Sequence, residues 1–207
     1  MYLMFIISII GMIIIIPFYF WSVEHIKIQE RYGKKKGIML TTIFGFISGW
    51  GFFLFLFGIW ISPQPKFIIP IISTSLNFIS IFNFSFSILH LIISLPIILT
   101  GAFFGIKGVK ETTLKVAETH RPEKVIITGI YCRVRHPQYF GAILSHIGIT
   151  ILLSSLYSLL STPLIIFVIY LFSWKEEKEL IREFGKEYEV YKKKVPMLFP
   201  RIRSKSK

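Results

Sequence analysis

Residues 128–148, Thr-Gly-Ile-Tyr-Cys-Arg-Val-Arg-His-Pro-Gln-Tyr-Phe-Gly-Ala-Ile-Leu-Ser-His-Ile-Gly, join a basic, aromatic turn to an apolar helix. Pro137 suits the first position of that helix, because its ring fixes φ and it has no N–H to leave unpaired. The free N–H groups of a first helical turn attract a negative group or a hydrogen-bond acceptor. Arg135, His136 and Tyr139 flank this helix start, so the stretch is a candidate binding site.

The composition indicates an all-α integral membrane protein. Hydrophobic residues make up 53% of the 207-residue chain, and the mean hydropathy is +0.64. Several apolar runs approach or exceed the roughly 20 residues that a bilayer-spanning helix needs. We expect about five transmembrane helices and a cytoplasmic C-terminal helix. The predicted spans are residues 3–22, 38–61, 86–106, 139–160 and 164–174.

The charged residues are confined to three polar blocks. Residues 23–37, 107–138 and 175–207 hold 23 of the 24 Lys and Arg residues and all eleven acidic residues, each of which is Glu. Because cationic loops favour the cytoplasmic side, all three blocks and the candidate site are expected there, with the N-terminus outside and the C-terminus inside. Topology and attraction to anionic membrane lipids explain the net charge of +13, and nucleic-acid binding is not expected.

Residues 67–84 are apolar but contain Asn77 and Asn83, whose amides are costly to bury in hydrocarbon. A further span here would place the first two charged blocks on opposite sides of the membrane, so an outer-face or re-entrant segment is expected. The predicted units are an N-terminal membrane anchor at 1–85, a core at 86–200 and a basic tail at 201–207.

Several expectations concern helix ends and helix contacts. The outer turn before the last span is expected at residues 161–163, Ser-Thr-Pro. Gly45 and Gly49 form a GxxxG-like pair that could admit another helix. His90 and His146, inside predicted spans, are expected to pack against neighbouring helices. The single cysteine excludes an internal disulfide, and no metal site is predicted.

Two carboxylates, Glu176 and Glu177, follow the last predicted span at a membrane depth comparable with that of Arg135. The apolar stripe that comes next has helical spacing and consists of Leu180, Phe184, Tyr188 and Tyr191. We therefore expect the last span to continue as one helix to Tyr191. The stripe would dock this helix on the protein or the lipid surface and bring a carboxylate to the candidate site. The apolar segment 195–200 would either cap that site or only tether the tail.

The motifs of the second half of the chain form a recognisable set. They are Thr128-Gly-x-Tyr-x-x-x-Arg-His-Pro-x-Tyr-x-Gly141, Gly148, Glu176-Glu177, Phe184-Gly185, Tyr188, Tyr191 and Val195-Pro196. This set resembles the isoprenylcysteine carboxyl methyltransferase family, whose wider relatives are the phospholipid methyltransferases. The resemblance covers roughly residues 86–200 and is weak before them. Ile130 replaces a frequent Pro, and Cys132 replaces a frequent Arg; both departures leave the cofactor motif intact and the substrate open.

The resemblance implies a membrane-embedded methyltransferase that depends on S-adenosylmethionine. Its acceptor would be a lipophilic or prenylated molecule, such as an isoprenylcysteine, that enters from the bilayer. The implied cofactor-binding residues are Tyr131, His136, Pro137, Tyr139, Gly141, Glu176 and Glu177. The implied catalytic residues are Arg135, which would orient an acceptor carboxylate, and Glu177, which, like His136, is a candidate base for a thiol or amine acceptor.

Other functions stay open at this point. A phospholipid or a small thiol is an alternative methyl acceptor. Some NADPH-dependent membrane reductases of the sterol reductase type share a similar C-terminal half, which makes them the alternative enzyme class. A membrane scaffold or transporter subunit has little support, because few ionisable residues lie inside the spans. The sequence does not indicate an oligomeric state.

Overall fold

Helices dominate the chain. The computed structural model describes residues 2–69, 78–81, 84–112 and 124–200. Its α-helices are α1 (Leu3–Val23), α2 (His25–Tyr32), α3 (Lys34–Ile61), α4 (Ile88–Thr112), α5 (Pro137–Leu152), α6 (Leu156–Phe184) and α7 (Lys186–Lys194). A 3-10 turn, Gly129–Cys132, precedes α5. Strands β1 (Phe78–Ile81) and β2 (Phe84–Ser87) form an antiparallel hairpin before α4.

Four helices of the described residues, α1, α3, α4 and α6, are long and apolar enough to cross a membrane. The predicted all-α integral membrane fold is therefore confirmed, with the short hairpin as a local addition. Helix α5 has 16 residues, a length of about 24 Å, and is shorter than the predicted span over 139–160. The hydrocarbon core of a bilayer is about 30 Å thick, so α5 is too short to cross it alone and lies in the membrane as part of the helix bundle.

Small residues set the distances between the packed helices. At Gly141 of α5, an added Cβ would lie 2.6 Å from the carbonyl oxygen of Gly101 in α4, and at Gly148 it would lie 2.6 Å from the Ile98 side chain. Between α1 and α3, a Cβ on Gly51 would lie 3.0 Å from Ile15. Where hydrocarbon surrounds the helices, such close backbone approach supplies much of the attraction between them.

The turn between α5 and α6 differs from the prediction. It lies at residues 153–155, and Pro163 of the predicted turn is inside α6. Ser154 has a φ of 54°, which ends α5, and its carbonyl oxygen accepts a hydrogen bond from Phe67 N–H. The loop after α3 thus determines where the chain turns. A proline in a membrane helix costs one backbone hydrogen bond and is tolerated where neighbouring groups compensate.

The C-terminal end of α6 also differs from the prediction of one helix to Tyr191. Helix α6 ends at Phe184, and α7 begins at Lys186. Gly185 between them has a φ of 55°, in the left-handed region that glycine adopts without a Cβ penalty. The redirected chain brings α7 back against the loop before α5.

Of the two histidines inside the spans, His146 contacts neighbouring helices, as predicted, whereas His90 contacts a turn and a loop. His90 Nδ1 lies 2.6 Å from Ser154 Oγ at the turn between α5 and α6. His146 Nδ1 accepts a hydrogen bond of 3.0 Å from Trp60 Nε1, so its Nε2 carries the proton that faces Thr162 Oγ1 at 3.2 Å. Asn77 and Asn83, on which the expectation for segment 67–84 depends, lie outside the described residues. The predicted basic tail at 201–207 also lies outside them.

Candidate active site

A cavity of about 520 Å³ lies among α1, α3, α5, α6 and the loop before α5. Its walls are of two kinds. Polar groups come from the loop, the start of α5 and Glu176 of α6. The apolar wall contains Gly45, Phe46, Gly49, Trp50, Phe52, Phe53, Ile169 and Phe172. A chamber of this size with few polar groups in an apolar surround is typical of a small-molecule site.

Gly45 and Gly49, the GxxxG-like pair, both line this cavity. An added Cβ at Gly49 would have no atom within 4 Å apart from its own helix and chain neighbours. Gly49 therefore leaves room in the cavity wall. Gly51 and Gly58 lie against α1, and Gly58 therefore admits a neighbouring helix, as small residues in membrane helices are expected to do.

Arg135 is buried in a set of contacts with the chain itself. Its Nε donates a hydrogen bond of 2.6 Å to Glu177 Oε1, and its Nη1 donates to the carbonyl oxygens of Lys192, at 2.7 Å, and Val195. Three of the five guanidinium N–H donors are thus used. Arg135 lines the cavity, and its Nη2 group makes no hydrogen bond within the described residues.

Glu177 lies behind Arg135 and does not line the cavity. Its side chain is 1% exposed, with Oε1 also 3.3 Å from His136 Nε2 and Oε2 3.0 Å from Lys192 Nζ. Three cationic or ionisable groups therefore surround one carboxylate. This arrangement suits a counter-ion that holds its neighbours in place.

Glu176, one position earlier, faces the cavity. Its Oε2 accepts hydrogen bonds from Tyr19 Oη at 3.0 Å and from Tyr139 Oη at 3.1 Å, and the two hydroxyl oxygens are 2.5 Å apart. His136 Nδ1 lies 3.7 Å from the same carboxylate oxygen, and the His136 ring stacks on Tyr139 with 5.4 Å between ring centroids. The loop, α1, α5 and α6 thus meet at Glu176.

The start of α5 is built as predicted. Pro137 occupies the first turn of the helix, and the carbonyl oxygen of His136 accepts the N–H of Phe140. The backbone of residues 135–136 is held from the other side, because Arg135 N–H donates to Pro196 O at 2.9 Å and His136 N–H donates to Met197 O at 3.1 Å. The segment after α7 therefore docks directly on the Arg-His-Pro turn.

Tyr131 is held in the loop by a separate group of contacts. Its hydroxyl donates to Gly108 O at 3.3 Å, and its carbonyl oxygen accepts a 2.7 Å hydrogen bond from Tyr191 Oη. Burial raises the pKa of the Tyr131 hydroxyl to about 12 and also raises that of Tyr191. Both phenols therefore stay protonated near neutral pH and act as donors. The Glu111 carboxylate accepts the Ile130 N–H at 2.9 Å and anchors this turn to α4.

The structure brings most of the predicted residues together. Of these, Tyr131, Arg135, His136, Pro137, Tyr139 and Glu176 line one cavity. Gly141 lies on the opposite side of α5 against α4, and Glu177 lies in the layer behind Arg135. Nothing in the spacing of α1 linked Tyr19 to Glu176. Gln138, between Pro137 and Tyr139, also lines the cavity and was not singled out.

Comparison with known proteins gives one match to a family model and one to a curated protein. Residues 88–187 match the family model described as phospholipid methyltransferase. A protein-S-isoprenylcysteine O-methyltransferase of Schizosaccharomyces pombe (strain 972 / ATCC 24843) is 37% identical over 91 residues, which cover 42% of this chain and 38% of that protein. The match thus spans well under half the length of this curated relative. No solved structure matches the chain.

The matched region 88–187 contains the Arg-His-Pro turn and both carboxylates, Glu176 and Glu177, so both halves of the motif lie within it. Both matches name methyltransferases, and neither supports the sterol-type reductase alternative. Residues 88–187 therefore match the phospholipid methyltransferase family model, and the resemblance to the isoprenylcysteine methyltransferases is confirmed.

Proposed function

We propose that this integral membrane protein transfers a methyl group from S-adenosylmethionine to the carboxylate of an isoprenylcysteine-like or other lipophilic acceptor at the cytoplasmic face. One observation carries the proposal: a single cavity combines the polar groups of the family-matched region with an apolar wall from membrane helix α3. A polar cofactor and a lipophilic acceptor need these two kinds of wall side by side.

The residues present fit the proposed cofactor. S-Adenosylmethionine carries a cationic sulfonium and an amino group, and Glu176 offers a carboxylate inside the cavity with two tyrosine hydroxyls fixed against it. Tyr139 and Phe172 line the same space, and aromatic side chains suit a cation or an adenine ring. When bound, the cofactor supplies an electrophilic methyl group. The chain contributes orientation and exclusion of water, which are what methyl transfer requires.

The acceptor carboxylate is assigned to Arg135. The Nη2 group has two N–H donors that no described residue occupies, and planar guanidinium donors suit a carboxylate. A carboxylate is already deprotonated, so no base has to act on it. Glu177 and His136 then serve to hold Arg135 and the Arg-His-Pro turn, with His136 also lining the cofactor space.

Sidedness follows from the charge distribution. The loop at 124–136, the inner end of α6 and α7 carry basic residues and meet at the polar wall of the cavity. Because basic segments favour the cytoplasm, we assign the cofactor end to that side. This orientation would be supported if a tag at the C-terminus became accessible only when the cytoplasmic side of the membrane is exposed.

The assay uses the purified full chain in lipid nanodiscs with methyl-labelled S-adenosylmethionine. N-Acetyl-S-farnesylcysteine is the test acceptor, and the same compound with its carboxylate already esterified is the matched control. We expect base-labile label on the free acid and none on the ester. Absence of transfer to any acceptor, with no binding of S-adenosylhomocysteine by titration calorimetry, would overturn the proposal. Binding of NADPH in its place would point to the reductase class.

A phospholipid amine is the second candidate acceptor, because the family model that matches residues 88–187 is that of phospholipid methyltransferases. Phosphatidylethanolamine in the nanodisc tests it within the same assay. Base-stable label on the lipid amine would favour this candidate over the carboxylate acceptor. Glu176, the carboxylate in the cavity, would then be the nearest group able to accept the amine proton.

A further inference from the structure

We infer that Tyr19, on the N-terminal helix α1, is a positioning residue of the methyl-transfer site, so that α1 is part of the site as well as a membrane anchor. The inference rests on the proposed function. Tyr19 lies outside residues 88–187, which the family model matches, and outside the stretch that the sequence motif covers. Its assignment comes from the geometry around Glu176 alone.

Tyr19 reaches the carboxylate directly. Its ring is 2% exposed, and its hydroxyl lies 3.0 Å from Glu176 Oε2 and 2.5 Å from Tyr139 Oη. Every hydrogen bond of Glu176 within the described residues is at Oε2, and both donors are phenols. Two donors on one oxygen restrict the rotation of a carboxylate, which leaves Oε1 in a defined place for a donor from a bound molecule.

Two contacts hold Tyr19 in this place. Its ring stacks on Phe172 of α6, with centroids 4.0 Å apart and ring planes 14° from parallel. Just beyond the end of α1, Glu24 Oε1 lies 2.5 Å from Lys175 Nζ, the residue that precedes Glu176. Helix α1 is thus attached to α6 at two residues that lie within the four positions before Glu176. The site would lose one of its two carboxylate donors if α1 shifted.

The experiment measures S-adenosylhomocysteine affinity by titration calorimetry for the full chain and four variants in nanodiscs. Tyr19→Phe keeps the stacked ring and removes the hydroxyl. Glu176→Gln and the double variant complete a mutant cycle. Tyr157→Phe is the matched control, because Tyr157 of α6 packs on Tyr2 and Phe5 at the opposite end of the same helix pair.

Loss of a hydrogen bond to a charged group should weaken binding in Tyr19→Phe on the order of tenfold. In the Glu176→Gln background the same change should weaken it less than about twofold, because the partner charge is already absent. Tyr157→Phe should bind as the unsubstituted protein does. Equal affinity of Tyr19→Phe and the unsubstituted protein would overturn the inference.

An equal loss in both backgrounds would also overturn the inference, because a purely structural role predicts additive effects. If Tyr19→Phe does not fold, Glu24→Gln loosens α1 from α6 without altering a cavity residue. It should then weaken binding several-fold in the unsubstituted background only, and unchanged binding would again overturn the inference. Failure of the unsubstituted protein to bind S-adenosylhomocysteine is a different outcome, because it removes the proposed function itself.

Discussion

The Glu177→Gln variant tests whether the layer behind the cavity is held by charge. Glutamine keeps the shape of the side chain but leaves Arg135, whose side chain is 7% exposed, without its counter-ion at 2.6 Å. Removing one partner of a buried ion pair costs about 3–5 kcal/mol. Arg135 keeps two backbone carbonyl acceptors, and Lys192 is 41% exposed and can be hydrated, so we expect about 3 kcal/mol.

For a chain of this size, that loss corresponds to a fall of about 6–12 °C in the unfolding midpoint. The midpoint is measured in one detergent at one heating rate, because unfolding of such proteins is often irreversible. Glu30→Gln is the control, since the same chemical change there falls on an exposed residue of α2. Methyl transfer by Glu177→Gln should also fall sharply, since the Arg-His-Pro turn loses its anchor.

A double variant separates the charge from the shape. Arg135→Met with Glu177→Leu replaces the pair by apolar side chains of similar volume, and such replacements are often neutral or stabilising. We expect the midpoint to recover most of the loss while methyl transfer stays absent. A midpoint of Glu177→Gln within about 1–2 °C of the unsubstituted protein would refute the reasoning, because an exposed substitution changes stability about that little.

Two further predictions concern packing and pH. Gly141→Ala places a Cβ 2.6 Å from a backbone oxygen of α4 and should lower the free energy of unfolding by about 1–3 kcal/mol. Gly49→Ala, the control, should leave the unfolding midpoint unchanged, because no atom lies near the added Cβ. Equal losses of stability in the two variants would contradict the packing. Burial raises the pKa of Glu24, but Lys175 and Lys27 outweigh it and hold that pKa below 4.5. The unsubstituted protein should therefore be more stable than Glu24→Gln above pH 4.5, and this difference should disappear as the pH falls below that value. Unfolding midpoints of both proteins, measured between about pH 3 and 7, check this expectation.

Structural features that depend on residues close together in the sequence were predictable. Apolar runs located α1, α3 and α4 because spanning a bilayer demands length and hydrophobicity from each segment separately. Pro137 located the start of α5, since its fixed φ and missing N–H act within one turn. Pro163 was misleading for the same kind of reason: the local preference of proline for a turn was outweighed by the contacts of Ser154 with the loop after α3.

The roles of adjacent carboxylates could not be read from the chain. Glu176 and Glu177 are about 100° apart around one helix, so only the rotation of α6 decides which of them faces the cavity. That rotation depends on α1, α7 and the loop before α5, which all contact this end of α6. The sequence also suggested that Arg135 was available to a substrate, whereas the structure commits three of its donors within the chain.

The sequence by itself therefore determined that the chain is a helical membrane protein and that the motifs of its second half resemble those of a methyltransferase family. These follow from hydrophobicity, backbone sterics and residue spacing, all of which act over short distances along the chain. The tertiary structure alone decided that Tyr19 joins Glu176 and that Glu177 lies behind Arg135. Both contacts join residues far apart in sequence, and their geometry depends on how the helices pack.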